Sequence, residues 1–218
     1  LKQRTAASVG ISLSLIELPT TATTAEVAQV VKTAAAAQDG VVVQLPLPTA
    51  IDKSVVLAAI PPTKDPDGFS YPSVGSVLPP VVGAIREIAT VYDVTIAGKT
   101  AVVLGQGQLV GAPAAHWLRR QGAMVTVLTE ADGDPRPHIA TADILVTGIG
   151  QPHYVTADLL PPGIVIFDAG TSEEGGVLAG DVDPAAAATA ALVTPVPGGI
   201  GPLTVALLLR NLLDLAGQ

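Results

Sequence analysis

TAVVLGQGQLVGAPAAHWLRRQG, residues 100–122, gives the clearest indication of the architecture of this chain. Residues 101–104 form a continuous apolar run, which is typical of a strand buried on both faces of a sheet. Gly105-Gln106-Gly107 interrupts the run, residues 110–120 then predict a helix, and residues 124–128 predict a second strand. The stretch therefore predicts a β-α-β unit with a glycine turn between the first strand and the helix.

The glycine turn has the chemistry of an anion-binding site. Glycines let the backbone approach a diphosphate closely, and a helix N-terminus presents unpaired N–H groups and a partial positive charge. The spacing is G-x-G-x-x-x-G, with Gly105, Gly107 and Gly111, one residue longer than the usual dinucleotide fingerprint. The glycines by themselves leave two interpretations open, a cofactor-binding turn and a sheet turn that binds no ligand.

The composition argues against several classes of function. The net charge is −8 over 218 residues, which argues against a nucleic-acid partner. The absence of cysteine excludes disulfides and thiol chemistry, and it is compatible with the reducing cytoplasm where we expect this protein. No apolar run reaches the roughly 18 residues of a membrane span. Because His116, His138 and His153 lack metal-ligand spacing, we expect no metal site.

Strand and helix patterns alternate along the chain and predict an α/β fold with a parallel sheet and right-handed crossovers. The predicted strands are residues 11–18, 40–45, 101–104, 124–128, 143–147, 165–168 and 191–194. The predicted helices are one that ends at Gly10 and those at residues 25–38, 54–60, 81–92, 110–120 and 203–215. Two strands are too few for a stable N-terminal sheet, and the first residue is Leu. We therefore expect the numbered chain to begin inside a longer gene product.

Four further stretches combine proline, glycine and polar residues at unusual density. They are GVVVQLPLP (residues 40–48), KDPDGF (64–69), GIGQP (148–152) and TPVPGGIGPLT (194–204). Gln44 ends an apolar run, where α/β proteins place ligands, although a lone glutamine there is more often a turn cap. Asp67 lies in a polar loop, where its carboxylate is either an acceptor of two parallel hydrogen bonds or a solvated turn residue.

Taken in order around the glycine turn, these stretches closely resemble the methylenetetrahydrofolate dehydrogenase/cyclohydrolase family. The resemblance covers nearly the whole chain, and Q-L-P-L-P and P-V-P-G-G-x-G-P-x-T are its specific motifs. It implies a three-layer αβα folate-binding domain in residues 1–84 and a Rossmann-type doubly wound NAD(P)-binding domain in residues 85–202. Residues 203–218 would form a C-terminal helix that returns to the first domain. The resemblance also implies a homodimer, and a reaction that takes place between the two domains.

The same resemblance assigns folate-binding and catalytic roles. Lys2, aligned through Val9 and Gly10, corresponds to the family's catalytic lysine, and Gln44 to the glutamine that works with it. Asp67 corresponds to the residue that anchors the pterin ring of the folate, and Asp65 is the weaker candidate for that role. The further implied substrate contacts are Pro46, Pro197, Gly198, Gly199 and Pro202. The tyrosine that partners the lysine in the family would lie upstream of Leu1.

The cofactor implied by the resemblance is NADP or NAD. Its implied contacts are Gly105, Gln106, Gly107, Glu130, Gly150 and Thr171. Gln106 cannot pair ionically with a 2′-phosphate, and Glu130 would repel that phosphate while accepting a hydrogen bond from a ribose 2′-hydroxyl. We therefore predict a preference for NAD over NADP. The alternative for Glu130 is a side chain that points into solvent.

The function implied by the resemblance is oxidation of 5,10-methylenetetrahydrofolate to 5,10-methenyltetrahydrofolate, followed by hydrolysis to 10-formyltetrahydrofolate. Two alternatives stay open. One is a dehydrogenase of the amino-acid or shikimate type, which has the same fold but lacks the two specific motifs. The other is a non-catalytic folate- or nucleotide-binding relative, suggested by the shortened stretch at residues 78–82.

Overall fold

The computed structural model describes residues 2–73 and 75–217 of the chain. The chain divides into two compact units, Leu1–Pro80 together with Val205–Gln218, and Val81–Thr204. In chain order the elements are α1 (Lys2–Ser8), α2 (Thr24–Ala37), α3 (Lys53–Ala58), α4 (Pro80–Val91), β1 (Thr100–Leu104), α5 (Gly111–Arg120), β2 (Met124–Leu128), α6 (Arg136–Ile139), β3 (Ile144–Thr147), β4 (Val165–Asp168), β5 (Ser172–Glu174), β6 (Val177–Ala179), β7 (Leu192–Val193) and α7 (Ile200–Ala216).

The first unit is built around α2 and α3. A capping box starts α2, in which the Thr23 hydroxyl accepts from the Glu26 N–H and the Glu26 carboxylate accepts from the Thr23 N–H. The buried side chains of α2 recur at helical spacing and pack in one apolar cluster with those of α3. This cluster contains Val27, Ala28, Val31, Val56, Leu57, Ala59 and Ile60. The helices predicted at residues 25–38 and 54–60 are confirmed to within two residues at each end.

The two strands predicted in the first unit are wrong. Among the described residues, neither 11–18 nor 40–45 belongs to a strand. The Val41 N–H donates to the Lys64 carbonyl at 2.9 Å, a single bond in place of a ladder. Alternating or apolar residues predict an extended backbone, but a strand also needs a neighbour to pair with, which such a pattern does not supply.

The second unit is organised by a parallel sheet with strand order β2-β1-β3-β4-β7. The central strands β1, β3 and β4 are almost wholly buried, whereas the edge strand β2 is partly exposed. This burial explains why β1, β3 and β4 read as continuous apolar runs. The predicted α/β class, the parallel sheet and the β-α-β unit around the glycine turn are therefore confirmed.

A short antiparallel hairpin, β5–β6, follows the sheet strand β4 and was not predicted. Gly175 and Gly176 form its turn with φ of +58° and +82°, the left-handed conformation that a two-residue hairpin turn requires. The Gly-Gly pair was the signal in the sequence that could have revealed it. The hairpin brings residues 180–182 back to the carboxyl end of β4, where the polar network described below is built.

The described helices include none that is both long and apolar enough to cross a bilayer.

Candidate active site

Lys2 and Gln44 meet in the first unit, although 42 residues separate them in the chain. Lys2 lies in the first turn of α1, and its Nζ donates a hydrogen bond to the Gln44 Oε1 at 3.1 Å. The amide of Gln44 is oriented by a second bond, from its Nε2 to the Leu45 carbonyl at 2.8 Å. The Leu45–Pro46 peptide bond that follows is cis. The two hydrogen bonds of its amide hold the acceptor oxygen of Gln44 toward the lysine.

Asp67 lies near the same lysine, on the loop that follows the 3₁₀ turn Pro62–Lys64. Burial raises the pKa of the Asp67 carboxyl to about 6, the nearby charge of Lys2 opposes this rise, and the charge of Asp65 adds to it. Near neutral pH this carboxylate is therefore ionised, while mild acid protonates it. A cation, an amide oxygen and such a carboxylate can together orient a polar ring and hold or release a proton.

Asp65 closes the loop that carries Asp67. Its side chain is 1% exposed, and its Oδ2 accepts from the Ser70 N–H at 2.9 Å and from the Ser70 hydroxyl at 3.0 Å. Burial raises the pKa of the Asp65 carboxyl, and hydrogen bonds within the loop oppose the rise. Gly68 is required in the same loop, because its φ is +69° and a Cβ there would lie 2.8 Å from the Val77 carbonyl oxygen.

The glycine turn of the second unit leaves its backbone open to a ligand. Gly105 has φ of +89°, and its N–H donates to the Leu128 carbonyl at 2.7 Å. A Cβ on Gly111 would overlap the Gly105 carbonyl, so only glycine lets α5 begin directly on the turn. Gln106 and Gly107 are exposed, and among the described residues no side chain caps the first turn of α5. These features fit a diphosphate held by backbone N–H groups.

The other predicted cofactor contacts lie after the carboxyl ends of successive strands, Glu130 after β2, Gly150 after β3 and Thr171 after β4. The Glu130 side chain is exposed, yet its Oε1 accepts a hydrogen bond from the Gln151 Nε2 at 3.1 Å. Gly150 has φ of +70°, and its carbonyl accepts from the Ser172 hydroxyl at 2.9 Å. Since parallel strands end at one edge of a sheet, these loops share that edge with the glycine turn.

Two buried carboxylates, which the sequence did not single out as site residues, hold this edge together. Asp168 ends β4 and accepts from the N–H groups of Gly170, Asp181 and Val182 at 2.9, 3.2 and 3.0 Å. Asp181 accepts from the Thr147 hydroxyl at 2.7 Å and from the N–H groups of Ile149 and Gln151, both at 2.9 Å. The β3 loop that contains Gly150 is thus fastened to a single carboxylate.

The predicted substrate-contact loop at residues 194–204 is shaped by close backbone packing within the second unit. The Gly199 N–H donates to the Pro195 carbonyl at 2.8 Å, and a Cβ on Gly199 would lie 2.7 Å from that oxygen. Gly198 has φ of +112°, and the Val196–Pro197 peptide bond is cis. Pro197, Gly198 and Pro202 are exposed. Three of the four predicted contact residues in this loop are therefore accessible to a ligand.

Comparisons with known proteins find similarity over nearly the whole chain. The tetrahydrofolate dehydrogenase/cyclohydrolase catalytic domain matches residues 1–67, and the NAD(P)-binding domain of the same family matches residues 79–218. The bifunctional protein FolD of Lacticaseibacillus casei is 39% identical, over 99% of this chain and 80% of that protein. The FolD protein of Lactococcus lactis is 35% identical, over 100% of this chain and 80% of its own length.

Two solved structures extend the similarity to the fold. The bifunctional FolD enzyme of Campylobacter jejuni has a TM-score of 0.93 at 30% identity, covering 99% of this chain and 81% of its own. The Trypanosoma brucei FolD structure, a complex with NADP cofactor and inhibitor, has a TM-score of 0.92 at 34% identity. It covers 99% of this chain and 80% of its own.

Replacing Asp181 by Asn tests the network at the sheet edge. One carboxylate oxygen becomes an NH₂ group that opposes a backbone N–H, so we expect the free energy of unfolding to fall by about 2 kcal/mol. Urea unfolding followed by circular dichroism measures this loss. The control is Asp158→Asn, an exposed carboxylate in the same unit, which should leave the unfolding curve nearly unchanged. Equal effects of the two substitutions would contradict the role given to Asp181.

Replacing Asp67 by Asn tests the half-buried Asp67 carboxyl through the pH dependence of stability. Because the folded state raises the pKa of Asp67 to about 6, folding favours its protonated form. The wild-type protein should therefore lose stability, relative to Asp67→Asn, as the pH rises from about 4 to about 6. Above that range the variant should be more stable by about 1–3 kcal/mol.

Urea unfolding at several pH values measures this difference. Asp39→Asn is the control, because it makes the same substitution at an exposed carboxylate outside the candidate site. A pH-independent difference for Asp67→Asn would show that Asp67 titrates normally.

Proposed function

This chain belongs to the tetrahydrofolate dehydrogenase/cyclohydrolase family, and on that premise we propose that it oxidises 5,10-methylenetetrahydrofolate with a nicotinamide cofactor. We propose further that it hydrolyses the resulting 5,10-methenyltetrahydrofolate to 10-formyltetrahydrofolate. The observation that carries the proposal is the cluster of Lys2, Gln44 and Asp67, which lies inside the match to the family's catalytic domain. Neither the amino-acid and shikimate dehydrogenase alternative nor a binding protein without activity is favoured by the comparisons.

In this proposal Asp67 holds the pterin ring of the folate. A carboxylate accepts two parallel hydrogen bonds, and the ring presents an N–H beside an NH₂ group. A half-buried carboxylate makes such bonds stronger than an exposed one does, because less water competes for the ring. Since the pKa of Asp67 is raised to about 6, folate should bind well at neutral pH and more weakly in mild acid.

Lys2 and Gln44 serve the one-carbon bridge of the folate in this proposal. The Gln44 Oε1 orients the Lys2 ammonium, which is able to stabilise negative charge or give a proton as the bridge is hydrolysed. The bound nicotinamide cofactor supplies the hydride acceptor. The backbone of the glycine turn, with Gln106 and Gly107 exposed, would hold the diphosphate of that cofactor.

We also propose that the protein prefers NAD over NADP. The family has an NAD(P)-binding domain, and the Trypanosoma brucei relative was solved with NADP. In this chain Gln106 carries no charge to pair with a 2′-phosphate, and the Gln151 amide holds Glu130 in place after β2. A carboxylate there repels a phosphate and accepts from a ribose hydroxyl. The homodimer, the cytoplasmic location and the absence of nucleic-acid and membrane partners stay predictions.

A spectrophotometric assay of methylenetetrahydrofolate oxidation tests the activity. We expect turnover with a nicotinamide cofactor, and we expect Asp67→Asn to lower kcat/KM for the folate by about 100-fold, since it loses a charged acceptor. KM for the cofactor should change less than about threefold, because Asp67 is assigned to the folate and not to the cofactor. Asp39→Asn is the matched control and should behave as wild type. No turnover with either cofactor, or full activity in Asp67→Asn, would refute the proposal.

The cofactor preference is tested by comparing kcat/KM for NAD and NADP. The wild-type protein should prefer NAD, and Gln106→Arg combined with Glu130→Ser should shift the ratio toward NADP by about 10-fold or more. Asp134→Ser removes a negative charge from the same loop and controls for a general charge effect. Equal or better turnover of the wild type with NADP would remove the predicted preference.

A further inference from the structure

Asn211 lies on α7, and its buried amide binds two segments of the first unit that are far from α7 in the sequence. Its Nδ2 donates to the Pro66 carbonyl and to the Leu78 carbonyl, both at 2.9 Å. These partners lie 145 and 133 residues away in the chain. The side chain uses both of its N–H groups in this way, and the residue is 9% exposed.

The two joined segments have few means of pairing with each other directly. Pro66 and Pro79 have no backbone N–H to donate. The segments nevertheless pack backbone against backbone, since a Cβ on Gly68 would lie 2.8 Å from the Val77 oxygen and 3.0 Å from the Pro79 nitrogen. Asn211 supplies the donors that this contact lacks.

The bond to Pro66 acts directly on Asp67. The Pro66 carbonyl and the Asp67 N–H belong to one planar peptide group. A hydrogen bond to the carbonyl therefore fixes the orientation of the backbone at Asp67. The other side of the loop is closed by the Asp65 carboxylate on Ser70 and by the bond from the Gly68 N–H to the Asp65 carbonyl at 3.2 Å. Asn211 supports this loop from outside, through its bond to the Pro66 carbonyl.

The same part of α7 supports the segment that carries Gln44. The Leu212 Cδ1 lies 2.5 Å from the place where a Cβ on Gly40 would be, so the glycine lets that segment lie against the helix. The Val41 N–H then donates to the Lys64 carbonyl, next to the Asp67 loop. Helix α7 thus contacts both the segment that leads to Gln44 and the loop that carries Asp67.

We infer that Asn211 is a positioning residue that holds the Pro66–Asp67 peptide and thereby keeps the Asp67 carboxylate in its half-buried place near Lys2. The effect of Asn211 on the candidate site passes through Asp67. The inference rests on the proposed function only where folate turnover is the readout, so its first test uses none.

The first test measures how stability depends on pH with and without Asn211. Asp67→Asn is made in the wild-type protein and in Asn211→Leu. The change in the urea midpoint of unfolding that it causes in each background is then measured from about pH 3.5 to about pH 8. The charged groups that face Asp67 are Lys2 of α1 and Asp65 of its own loop, and both stay unchanged. In the wild-type background the difference should grow as the pH rises from about 4 to about 6. In Asn211→Leu this growth with pH should shrink or disappear, because a carboxyl with the same pKa in the folded and unfolded states makes no pH-dependent contribution.

The control is Leu215→Ala, which removes a buried side chain of the same helix and lowers stability without touching these bonds. It should keep the wild-type pH dependence between about pH 4 and about pH 6. An unchanged pH dependence in Asn211→Leu, despite lower stability, would overturn the inference. If Asn211→Leu does not fold, Asn211→Ser is measured instead, because serine is too short to reach both carbonyls, and the same loss of pH dependence is required of it.

The second test uses turnover. Asn211→Leu should raise KM for the folate about 10-fold and leave KM for the cofactor within about twofold. Asn211→Gln keeps both donors, so its KM for the folate should lie close to the wild-type value. Leu215→Ala should change neither KM. Equal KM for the folate in Asn211→Leu and wild type would also overturn the inference. Absence of turnover in every protein refutes the proposed function instead, and the pH measurement still decides the role of Asn211.

Discussion

Buried polar side chains form hydrogen bonds with the backbone N–H and C=O groups of the loops in both units. The candidate site depends on this interaction. Loops built from proline and glycine cannot pair as ladders, so their N–H and C=O groups need other partners. Asp168 and Asp181 accept from five backbone N–H groups at the sheet edge. Asn211 donates to two carbonyls in the first unit. The chemistry matches in each case, since carboxylates only accept while an amide NH₂ donates.

Three carboxyl groups have their pKa raised by burial, but their surroundings give them different roles. Asp168 accepts three backbone N–H bonds that oppose the rise, so its charge serves the fold. Asp65 is likewise occupied by Ser70. The pKa of Asp67 is influenced instead by the charges of Lys2 and Asp65. A carboxylate whose pKa is raised by burial, and which faces neighbouring charges more than backbone donors, is the one suited to binding and proton chemistry.

Much of the second unit could be predicted because its signals are local. The apolar runs at residues 101–104 and 165–168 reflect burial on both faces, and the glycines that follow the first run mark the turn. The strands predicted at 11–18 and 40–45 failed for the opposite reason, since a strand depends on a partner that the segment itself does not contain. Asp181 gave no local signal, because its partners Thr147 and Ile149 come from the end of β3 and the loop after it.

From the sequence alone follow the α/β class, the glycine turn and, through its motifs, the family, together with a prediction of the site residues. How the side chains are held is seen only in the folded chain: Lys2 bonds to Gln44 at 3.1 Å, and Asn211 bonds to two carbonyls more than 130 residues away. The physical reason is that patterning and turn chemistry act over a few neighbouring residues. A buried hydrogen bond between distant segments depends instead on how the whole unit packs.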